Sequence, residues 1–576
     1  MGSFRQHLYI SASAALVFLL VSGVSSDASI DATAKSTPQL RTTGSWSPPA
    51  IVPGIVALDH FRFNSAVITV VSCPTRNWCG AAGTYGDARG HTQAFVVVGG
   101  AGASGLAREV PGLAMLNHGD ATLTSLSCSA PGNCSAGGSY EGATHSTIAY
   151  LVDEVHGSWK PAHTVVESPS GTASTISSIS CTGVGDCSAV GSSSTSLPFV
   201  VSEVQGAWGS ATSVPGISLL GTIASLSSIS CAAPGDCSAG GYVGNSTIPQ
   251  NPQPLLVDQA SGSWGNALEI PGAAALNVDN IASATSVSCG APGNCSAGGY
   301  YTDGAGAQQL FIAIESSGTW HNAQQLPGTA ALNGGGFATL TSLSCPRSGS
   351  CAAVGSSSVH VGSGSLFVSE PFVAQESADV WKPARIAPGA TKFQGSNLTS
   401  ISCSAPTACT AVGSYTTSHG KGEPLATDEV NGSWQAAYPI PGMYPLEKPS
   451  GAAVLTVVSC AASRTCVAGG WVQTMPSTRW EAMLISESPP QPPPTISRLA
   501  PSSGSARGGT TVVIYGTHLE STALVRFNGR AATDVDVVNP DALRVISPAG
   551  AGTVNVRVTT DSGTSVPSRR TRFTYR

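Results

Sequence analysis

A cassette that recurs eight times, at intervals of about 50–58 residues, limits the possible folds of this chain more than any other feature. Each copy contains a short alternating apolar run, a cysteine, five further residues, a second cysteine and a run of small residues. The fourth copy, for example, is SISC-AAPGD-CSAGGYV. A repeat of this length predicts an array of similar units, either open or closed into a ring.

The cassettes contain all 16 cysteines of the chain. Paired thiols are typical of exported proteins, whereas structural zinc sites use closer cysteine spacings and redox sites usually have Cys-x2-Cys. We therefore predict structural disulfides, with no metal and no cofactor. The expected bridges are Cys73–Cys79, Cys128–Cys134, Cys181–Cys187, Cys231–Cys237, Cys289–Cys295, Cys345–Cys351, Cys403–Cys409 and Cys460–Cys466.

The first 28 residues have the composition of a secretory signal peptide. A weakly basic start is followed by an apolar run over residues 8–24 and then by small residues up to Ala28. A membrane anchor is the competing interpretation, but the run is shorter than the ~20 residues of a membrane-spanning helix. We predict a secreted, extracellular protein, either free or associated with the cell surface. It has no membrane span after cleavage, and residues 29–43 are expected to be disordered.

The charge pattern limits the possible partners. Only 10% of the residues are charged, the net charge is -6, and the repeats contain no cluster of Lys or Arg. Nucleic-acid binding depends on such basic clusters, so we predict no nucleic-acid partner. The expected protein is a monomer that binds an extracellular glycan, a cell-wall component or another protein.

One repeat contains the pattern of four short antiparallel strands. In the third copy these are residues 177–181, 187–191, 197–203 and 206–216, and four strands in roughly 50 residues are typical of a propeller blade. The small residues of the second strand allow neighbouring sheets to approach. A tryptophan recurs at the fourth strand, where we expect it to fill the space between blades: Trp159, Trp208, Trp264, Trp320, Trp381 and Trp434.

The two ends of the repeat region predict a closed ring. The last copy stops at Pro489 after its third strand, whereas Gly44 and Trp46 form a fourth-strand motif that precedes the first copy. The N-terminal strand is therefore expected to complete the last blade. We predict an all-β chain with an eight-bladed propeller over residues 44–488; seven blades or a split array are the alternatives.

The turn before each tryptophan resembles a degenerate Asp-box, the hairpin motif of sialidase-like propellers. The glutamates of this turn are Glu154, Glu203, Glu315 and Glu429, each followed by a Gly-x-Trp sequence. The acid is Glu rather than Asp, and its spacing to Gly is one residue longer. The resemblance implies a propeller fold and assigns no catalytic residue.

A proline-rich linker over residues 489–494 precedes a C-terminal domain at residues 495–576. Its segments P-x-x-G, G-G-T-x-V-x-I-x-G and x-V-x-F-x-G occur in the order found in IPT/TIG domains, which they closely resemble. The resemblance implies an immunoglobulin-like β-sandwich that acts as a spacer or binding module in secreted and surface proteins.

An aromatic residue that recurs after the second strand supplies the candidate binding site. Aromatic faces at this position could stack on sugars or hold a peptide, and packing against neighbouring loops is the alternative. We predict a binding protein with the propeller as ligand platform; a sialidase-like or lyase-type enzyme and a purely structural role are the alternatives. The candidate residues are Tyr85, Tyr140, Tyr242, Tyr301, Tyr415 and Trp471, and no catalytic residue is predicted.

Overall fold

The computed structural model describes thirteen segments of the chain, and every structural statement below concerns these segments. They are residues 45–59, 66–100, 105–168, 171–245, 251–278, 281–360, 367–440, 451–474, 479–488, 493–519, 522–539, 541–560 and 563–576. The predicted signal peptide and the predicted disordered segment lie outside them. So does most of the predicted linker.

The described part of the repeat region contains eight antiparallel sheets, one for each cassette, numbered here as blades 1 to 8 in cassette order. The first strands are Val67–Thr75, Ala121–Ala130, Gly171–Gly183, Ile223–Ala233, Ser283–Ala291, Ala338–Arg347, Gln394–Ala405 and Ala453–Ala462. The second strands are Trp78–Gly86, Asn133–Glu141, Asp186–Ser193, Asp236–Gly244, Asn294–Thr302, Ser350–His360, Ala408–Thr416 and Thr465–Thr474. The third strands are Thr92–Gly100, Thr147–Val155, Pro198–Val204, Gln253–Ala260, Gln308–Ser316, Phe367–Ser377, Gly422–Val430 and Arg479–Ser488.

The fourth strand is short, and in most blades it consists of two pieces. In blade 1 it is Ala107–Glu109, and in blade 2 an additional piece, Val166–Ser168, leads into the next blade. The pieces in blades 2 to 7 are Ser158–Trp159 and His163–Thr164, Ala207–Trp208 and Ala211–Ser213, Ser263–Trp264 and Leu268–Glu269, Thr319–Trp320 and Gln324–Gln325, Val380–Trp381 and Arg385–Ile386, and Ser433–Trp434 and Tyr438–Pro439.

Blade 8 receives its fourth strand from the N-terminal side of the chain. Ser45–Trp46 and Ala50–Ile51 both pair antiparallel with Arg479–Ser488, and Trp46 lies opposite Glu487. The two strands that meet here are more than 400 residues apart in sequence, so this pairing connects the beginning of the repeat region to its end.

A helical turn connects most blades to the next. These turns are Ile55–Leu58, Leu113–Leu116, Ile217–Leu220, Ala273–Leu276 and Thr329–Leu332, with a 3-10 turn at Ala390–Lys392. Each begins after a glycine with positive φ, such as Gly54 at 83° and Gly328 at 83°, a conformation that other residues adopt only with strain. The glycine of the recurring Pro-Gly pair therefore starts the helical turn.

The cores of the repeat region lie between neighbouring blades. One cluster combines Ala82 and Val96 of blade 1 with Leu123, Ala136 and Tyr150 of blade 2. The small residues of the second strand allow this contact, because a Cβ atom on Gly469 of blade 8 would lie 2.4 Å from Cγ2 of Ile68 in blade 1. Any side chain there would separate the sheets.

Serine hydroxyls connect the first strands of successive blades. The serine before the first cysteine accepts a hydrogen bond from the backbone N–H of the first cysteine in the next blade, at 2.9–3.0 Å in all eight copies. The acceptors are Ser72, Ser127, Ser180, Ser230, Ser288, Ser344, Ser402 and Ser459, and the bond from Cys73 N–H to Ser459 connects blade 1 to blade 8.

Disulfides join the two cysteines of every cassette, as predicted, and no described cysteine is free. Each bridge connects the first and second strands of one blade. The all-β prediction of propeller blades followed by a sandwich is confirmed. The number of blades stays a prediction, with which the eight sheets agree.

The C-terminal domain consists of two sheets. One contains Thr495–Ala500, Thr511–Thr517, Ala542–Ile546 and Thr533–Asn539; the other contains Ser503–Gly504, Arg572–Tyr575, Thr553–Thr560, Thr522–Phe527, Arg530–Ala531 and Gly563–Thr564. Their inner faces share one core, in which Ile514 and Leu543 of the first sheet pack with Phe527, Val556 and Phe573 of the second. This is a β-sandwich, and a 3-10 turn at Arg569–Thr571 precedes its last strand.

We predict that Ser127→Ala lowers the free energy of unfolding by about 1–2 kcal/mol, because it leaves the Cys181 N–H without its acceptor. Differential scanning calorimetry with disulfides intact measures the change. Ser463→Ala, in an exposed turn of blade 8, is the control and should melt like the parent. Equal melting of both variants would contradict a stabilising role for the hydroxyl.

Candidate functional site

The two ends of the blades carry different connections. The cassette turns and the tryptophan hairpins lie at one end, which we name the cassette face. The loops between second and third strands, together with the helical turns, lie at the other end, which we name the loop face. This division follows from the alternating direction of four antiparallel strands.

The predicted aromatic residues occupy two registers. Tyr85, Tyr140, Tyr301 and Tyr415 lie six residues after the second cysteine, whereas Tyr242 and Trp471 lie five residues after it. Because successive side chains of a strand point to opposite sides of the sheet, the two groups lie on opposite sides of their blades. The structure therefore does not bring the six together as one aromatic ring.

The tyrosines that lie six residues after the second cysteine make contacts within their own blades. Tyr85, Tyr140 and Tyr301 are buried. The hydroxyl of Tyr85 donates to Glu109 Oε1 at 2.7 Å, and that of Tyr140 lies 2.8 Å from Thr164 Oγ1. In the other register, Trp471 stacks on Trp480 with ring centroids 4.5 Å apart. Packing explains these contacts, and ligand binding by the aromatic residues stays a prediction.

A cleft of about 270 Å³ opens on the loop face at blade 1, beside one of the predicted residues, Tyr85. Its walls come from the loop between second and third strands and from the helical turn that leads to blade 2. The polar side chains that line it are Tyr85, Asp87, Arg89, His91, Gln93, Glu109, Asn117 and His118.

Hydrogen bonds within the loop hold the wall of the cleft in place. Asp87 Oδ1 accepts the backbone N–H groups of Arg89 at 2.8 Å and His91 at 2.9 Å. Gln93 Nε2 donates to Asp87 Oδ2 at 3.3 Å, and Asn117 Nδ2 donates to Gln93 Oε1 at 2.9 Å. Asp87, Gln93 and Asn117 thus use their polar atoms on each other and on the backbone.

Blade 5 contains the same framework. Asp303 Oδ1 accepts the N–H groups of Ala305 at 2.9 Å and Ala307 at 3.0 Å, and Gln309 Nε2 donates to Asp303 Oδ2 at 3.0 Å. Asn333 then contacts Gln309 at 3.3 Å, as Asn117 contacts Gln93 in blade 1. The loop geometry is therefore structural, because it forms in two blades with different rims.

The rims of the two blades differ at four equivalent positions. Blade 1 has ionisable side chains there, whereas blade 5 has small or neutral ones. The pairs are Arg89 and Ala305, His91 and Ala307, Glu109 and Gln325, and His118 and Gly334. The fold does not require the four ionisable residues of blade 1, so they are the candidates for ligand contact.

Sequence reasoning missed these four residues because they belong to no known motif. The spacing D-x-x-G-x-x-Q, present at Asp87–Gly90–Gln93 and at Asp303–Gly306–Gln309, was the signal that could have identified them. An internal alignment of the two loops would have separated the shared framework from the differing rim.

Two ionisable groups at the cleft have shifted pKa values. Burial, and then the hydrogen bond to Glu109, raises the pKa of Tyr85, so its hydroxyl stays protonated as a donor. For Asp87 burial acts to raise the pKa, but the N–H groups of His91 and Arg89 outweigh it and hold the pKa below its usual range. Asp87 is therefore a carboxylate.

The Asp-box-like glutamates lie on the cassette face and are buried. In blade 3, Glu203 lies opposite Cys187 on the second strand and opposite Trp208 on the fourth. The equivalent glutamates of blades 2, 5 and 7 are also buried. These glutamates are therefore packed in the protein interior. In the described segments, no three or more His, Cys, Asp or Glu side chains are grouped so that they could hold a metal ion.

Two of these glutamates lie near a carboxyl group of the preceding blade, and we call the space between the two blades at this point a carboxyl gap. Asp153 of blade 2 accepts the indole N–H of Trp208 at 3.1 Å, and Asp258 of blade 4 accepts that of Trp320 at 2.9 Å. Burial, and then Asp153 and Asp186, raises the pKa of Glu203 to about 7. Burial, and then Asp258, raises the pKa of Glu315 to about 7.

Blade 4 contains a neutral version of the same arrangement. Gln259 replaces the glutamate and Ser202 of blade 3 replaces the aspartate, with Gln259 Nε2 donating to Ser202 Oγ at 3.1 Å. Trp264 again donates to the preceding blade, here to Ser202 Oγ at 3.4 Å. The predicted role of the tryptophans between blades is thus supported by named contacts, and an amide fits where blades 3 and 5 have a glutamate.

Known proteins resemble parts of this architecture. Residues 494–575 match the family model described as the IPT/TIG domain. This segment is an IPT/TIG domain. The domain covers a minor part of the chain, and no curated protein gives a significant match to the sequence.

The repeat region is similar to solved β-propellers at low identity. The propeller domain of the Trilobed protease from Pyrococcus furiosus is 9% identical, with a TM-score of 0.36, and the match covers 64% of this chain and 97% of that one. The Cps50 (Swd1) propeller domain from Myceliophteria thermophila is 11% identical, with a TM-score of 0.33, covering 74% and 97%. A Hadza microbial sialidase is 10% identical, with a TM-score of 0.29, covering 59% and 73%. These values assign no activity to this chain.

We predict that the repeat region is more stable in mild acid than at alkaline pH. The folded pKa values of Glu203 and Glu315 exceed the unfolded value, so their stabilisation is complete below about pH 4 and is lost as the pH rises through about 7. Calorimetry should show a melting temperature about 2–5 °C lower at pH 8 than at pH 5.

Glu203→Gln with Glu315→Gln should remove part of this pH dependence, since Gln259 shows that the amide fits the gap. The remainder comes from other buried glutamates with raised pKa values, such as Glu154 and Glu376. The variant is expected to melt above the parent at pH 8. A variant that kept the full pH dependence of the parent would show that these two groups do not cause it.

Proposed function

We propose that this protein is exported and binds a glycan or cell-wall component through the cleft of blade 1, with the IPT/TIG domain as a spacer or second binding module. The observation that carries this proposal is the comparison of blades 1 and 5. One framework forms in both, and only blade 1 adds Arg89, His91, Glu109 and His118 around it. The coarser conclusion, a binding or interaction protein, agrees with the presence of an IPT/TIG domain.

The chemistry of the cleft favours a small, polar ligand group. Its rim combines the guanidinium of Arg89 and two imidazoles with the carboxylate of Glu109, which already accepts the Tyr85 hydroxyl. These groups donate and accept hydrogen bonds in fixed directions, as a sugar hydroxyl or carboxylate requires. At about 270 Å³ the cleft is below the ~300–1,000 Å³ of pockets for drug-sized ligands, so a terminal sugar residue suits it.

The disulfides and the IPT/TIG domain suggest an extracellular protein. We propose that export depends on the predicted signal peptide at residues 1–28 and yields a monomer that is secreted or held at the cell surface. In the described segments, no helix has the length and apolar composition to cross a membrane.

The enzyme alternative has less support. Sialidase-type chemistry uses several arginines around one pocket, and the cleft is lined by Arg89 alone among arginines. The glutamates that resemble the Asp-box are buried on the cassette face, which is the other end of the blades. Binding is therefore the function that this geometry supports best.

We predict that a blade 1 variant with the rim of blade 5 loses ligand binding and keeps its fold. The changes are Arg89→Ala, His91→Ala, Glu109→Gln and His118→Gly, each copied from the equivalent position of blade 5. Loss of charged hydrogen bonds should reduce the affinity at least about tenfold. A glycan array and cell-wall pull-down would identify the ligand, and titration calorimetry would then measure the affinity.

Gln325→Ala, at the rim of blade 5, is the matched control and should bind like the parent. Absence of binding by the parent protein in both the array and the pull-down would refute the proposed function. Equal affinity of the parent and the four-residue variant would show that the ligand binds outside the cleft.

A further inference from the structure

The IPT/TIG domain is strongly basic although the whole chain is acidic. Residues 494–576 contain ten arginines, no lysine and five acidic residues, whereas the net charge of the chain is -6. Positive charge is therefore concentrated in this domain, and it consists entirely of arginine, whose planar group binds carboxylates and phosphates in two-point contacts.

Three of these arginines lie on one face of one sheet. Arg526 and Arg557 are direct partners across neighbouring strands, and Arg572 is the direct partner of Asn555, two residues before Arg557. Residues two apart share a face, so the three arginines do as well. All three are exposed, while Phe527, Val556 and Phe573 alternate with them in the core.

Two threonines extend this face, which also carries Leu524 opposite Thr559 and Ala531 opposite Arg526. Thr553 and Thr559 lie on the same side of their strand as Asn555 and Arg557, and their hydroxyls pair with Thr574 at 3.0 Å and Thr564 at 2.9 Å. We name the set Arg526, Asn555, Arg557 and Arg572 the arginine strip. The strip presents three guanidinium groups and one amide, and the two threonine hydroxyls lie beside it.

The arrangement is unfavourable for the domain on its own. Like charges directly opposite each other on neighbouring strands reduce stability. The ion pair that the described part of this domain contains is Arg544 with Asp536, at 2.6 Å, and it lies on the other sheet. Arg526 donates to the carbonyl of Gly529, whereas Arg557 and Arg572 form no ion pair with a described residue. A ligand that brings negative charge would relieve this repulsion.

We propose that the arginine strip binds a polyanionic glycan, a polysaccharide with carboxylate or sulfate groups along its chain. Neighbouring strands are about 4.8 Å apart, so the strip offers several positive groups within roughly 10 Å, which suits successive anionic groups of a polymer better than one small ion. The disulfides of the repeat region indicate an extracellular setting, which favours a glycan over a nucleic acid. This site is separate from the blade 1 cleft and does not depend on the function proposed for it.

Fluorescence anisotropy with the full chain tests the proposal, using labelled polygalacturonate, heparin and neutral dextran of matched length at low ionic strength. We expect binding to at least one acidic polymer, none to dextran, and weakening with added salt. Arg557→Gln with Arg572→Gln should reduce the affinity at least about tenfold, because two charge-assisted contacts are lost.

The matched control is Arg498→Gln with Arg544→Gln, which removes the same charge from the other sheet. It should reduce the affinity far less than the strip variant does. If both variants weakened polymer binding equally, the attraction would be one of general charge, and the arginine strip would not be the binding site. Absence of binding to both acidic polymers, or tighter binding of single-stranded DNA than of either, would overturn the glycan as partner.

The four-residue variant of the blade 1 cleft should bind the acidic polymer like the parent. If it lost that binding, the polymer would be bound at the cleft and the strip proposal would fail. If the cleft failed to bind any glycan while the strip variant still lost polymer binding, the strip would stand without the cleft.

Discussion

The hydrogen bond from the first cysteine N–H of one blade to the serine hydroxyl of the preceding blade is the contact on which the repeat region depends. The first strands of neighbouring blades do not pair as a sheet, so their backbone groups need other partners. The serine hydroxyl is such a partner, carried on a short side chain at the same position in each cassette. The disulfide beside it joins the hairpin that carries the donor, so each blade is also fixed internally. A second serine hydroxyl in the same strand adds to the link between blades, as in the bond from Ile179 N–H to Ser125 Oγ at 2.9 Å.

The contacts that maintain the ring are concentrated in the cassettes and between the blades, away from the tips of the loops. The tryptophans and buried carboxyls fill the gaps on the cassette face, and the small residues of the second strands allow close approach. The loop face is therefore free to vary. Blades 1 and 5 show how: Asp87 and Asp303 organise equivalent loops, while Arg89 and His91 have counterparts in Ala305 and Ala307. The IPT/TIG sandwich also separates an apolar core from an outer face, which carries the arginine strip.

The sequence alone predicted the features that follow from local pattern. Cysteine spacing predicted the disulfides, and strand alternation predicted the blades. The motif around Trp46 predicted an N-terminal strand in the last blade, where Trp46 pairs with Glu487. The helical turns were missed because they are only four residues long and lack periodicity. The aromatic residues were grouped by order in the sequence, although a difference of one residue places Tyr242 on the opposite side from Tyr85.

The carboxyl gaps were beyond sequence reasoning for a different reason. They form between residues from different blades, such as Asp153 with Glu203, and a single repeat does not contain them. The arginine strip is similar, since Arg526, Arg557 and Arg572 become neighbours only through strand register. The cleft residues, in contrast, lie within one repeat and its connection, where an internal alignment would have separated them from the shared framework.

Site-resolved amide hydrogen exchange of the first cysteine in each cassette tests the closed ring most directly. The N–H of Cys73 is decisive, because its acceptor, Ser459, is 386 residues away in the last blade. A closed ring predicts that Cys73 exchanges as slowly as Cys181 and Cys289, whose acceptors lie one blade earlier. Fast exchange at Cys73 alone, with the other cysteines protected, would show an open array and contradict this account.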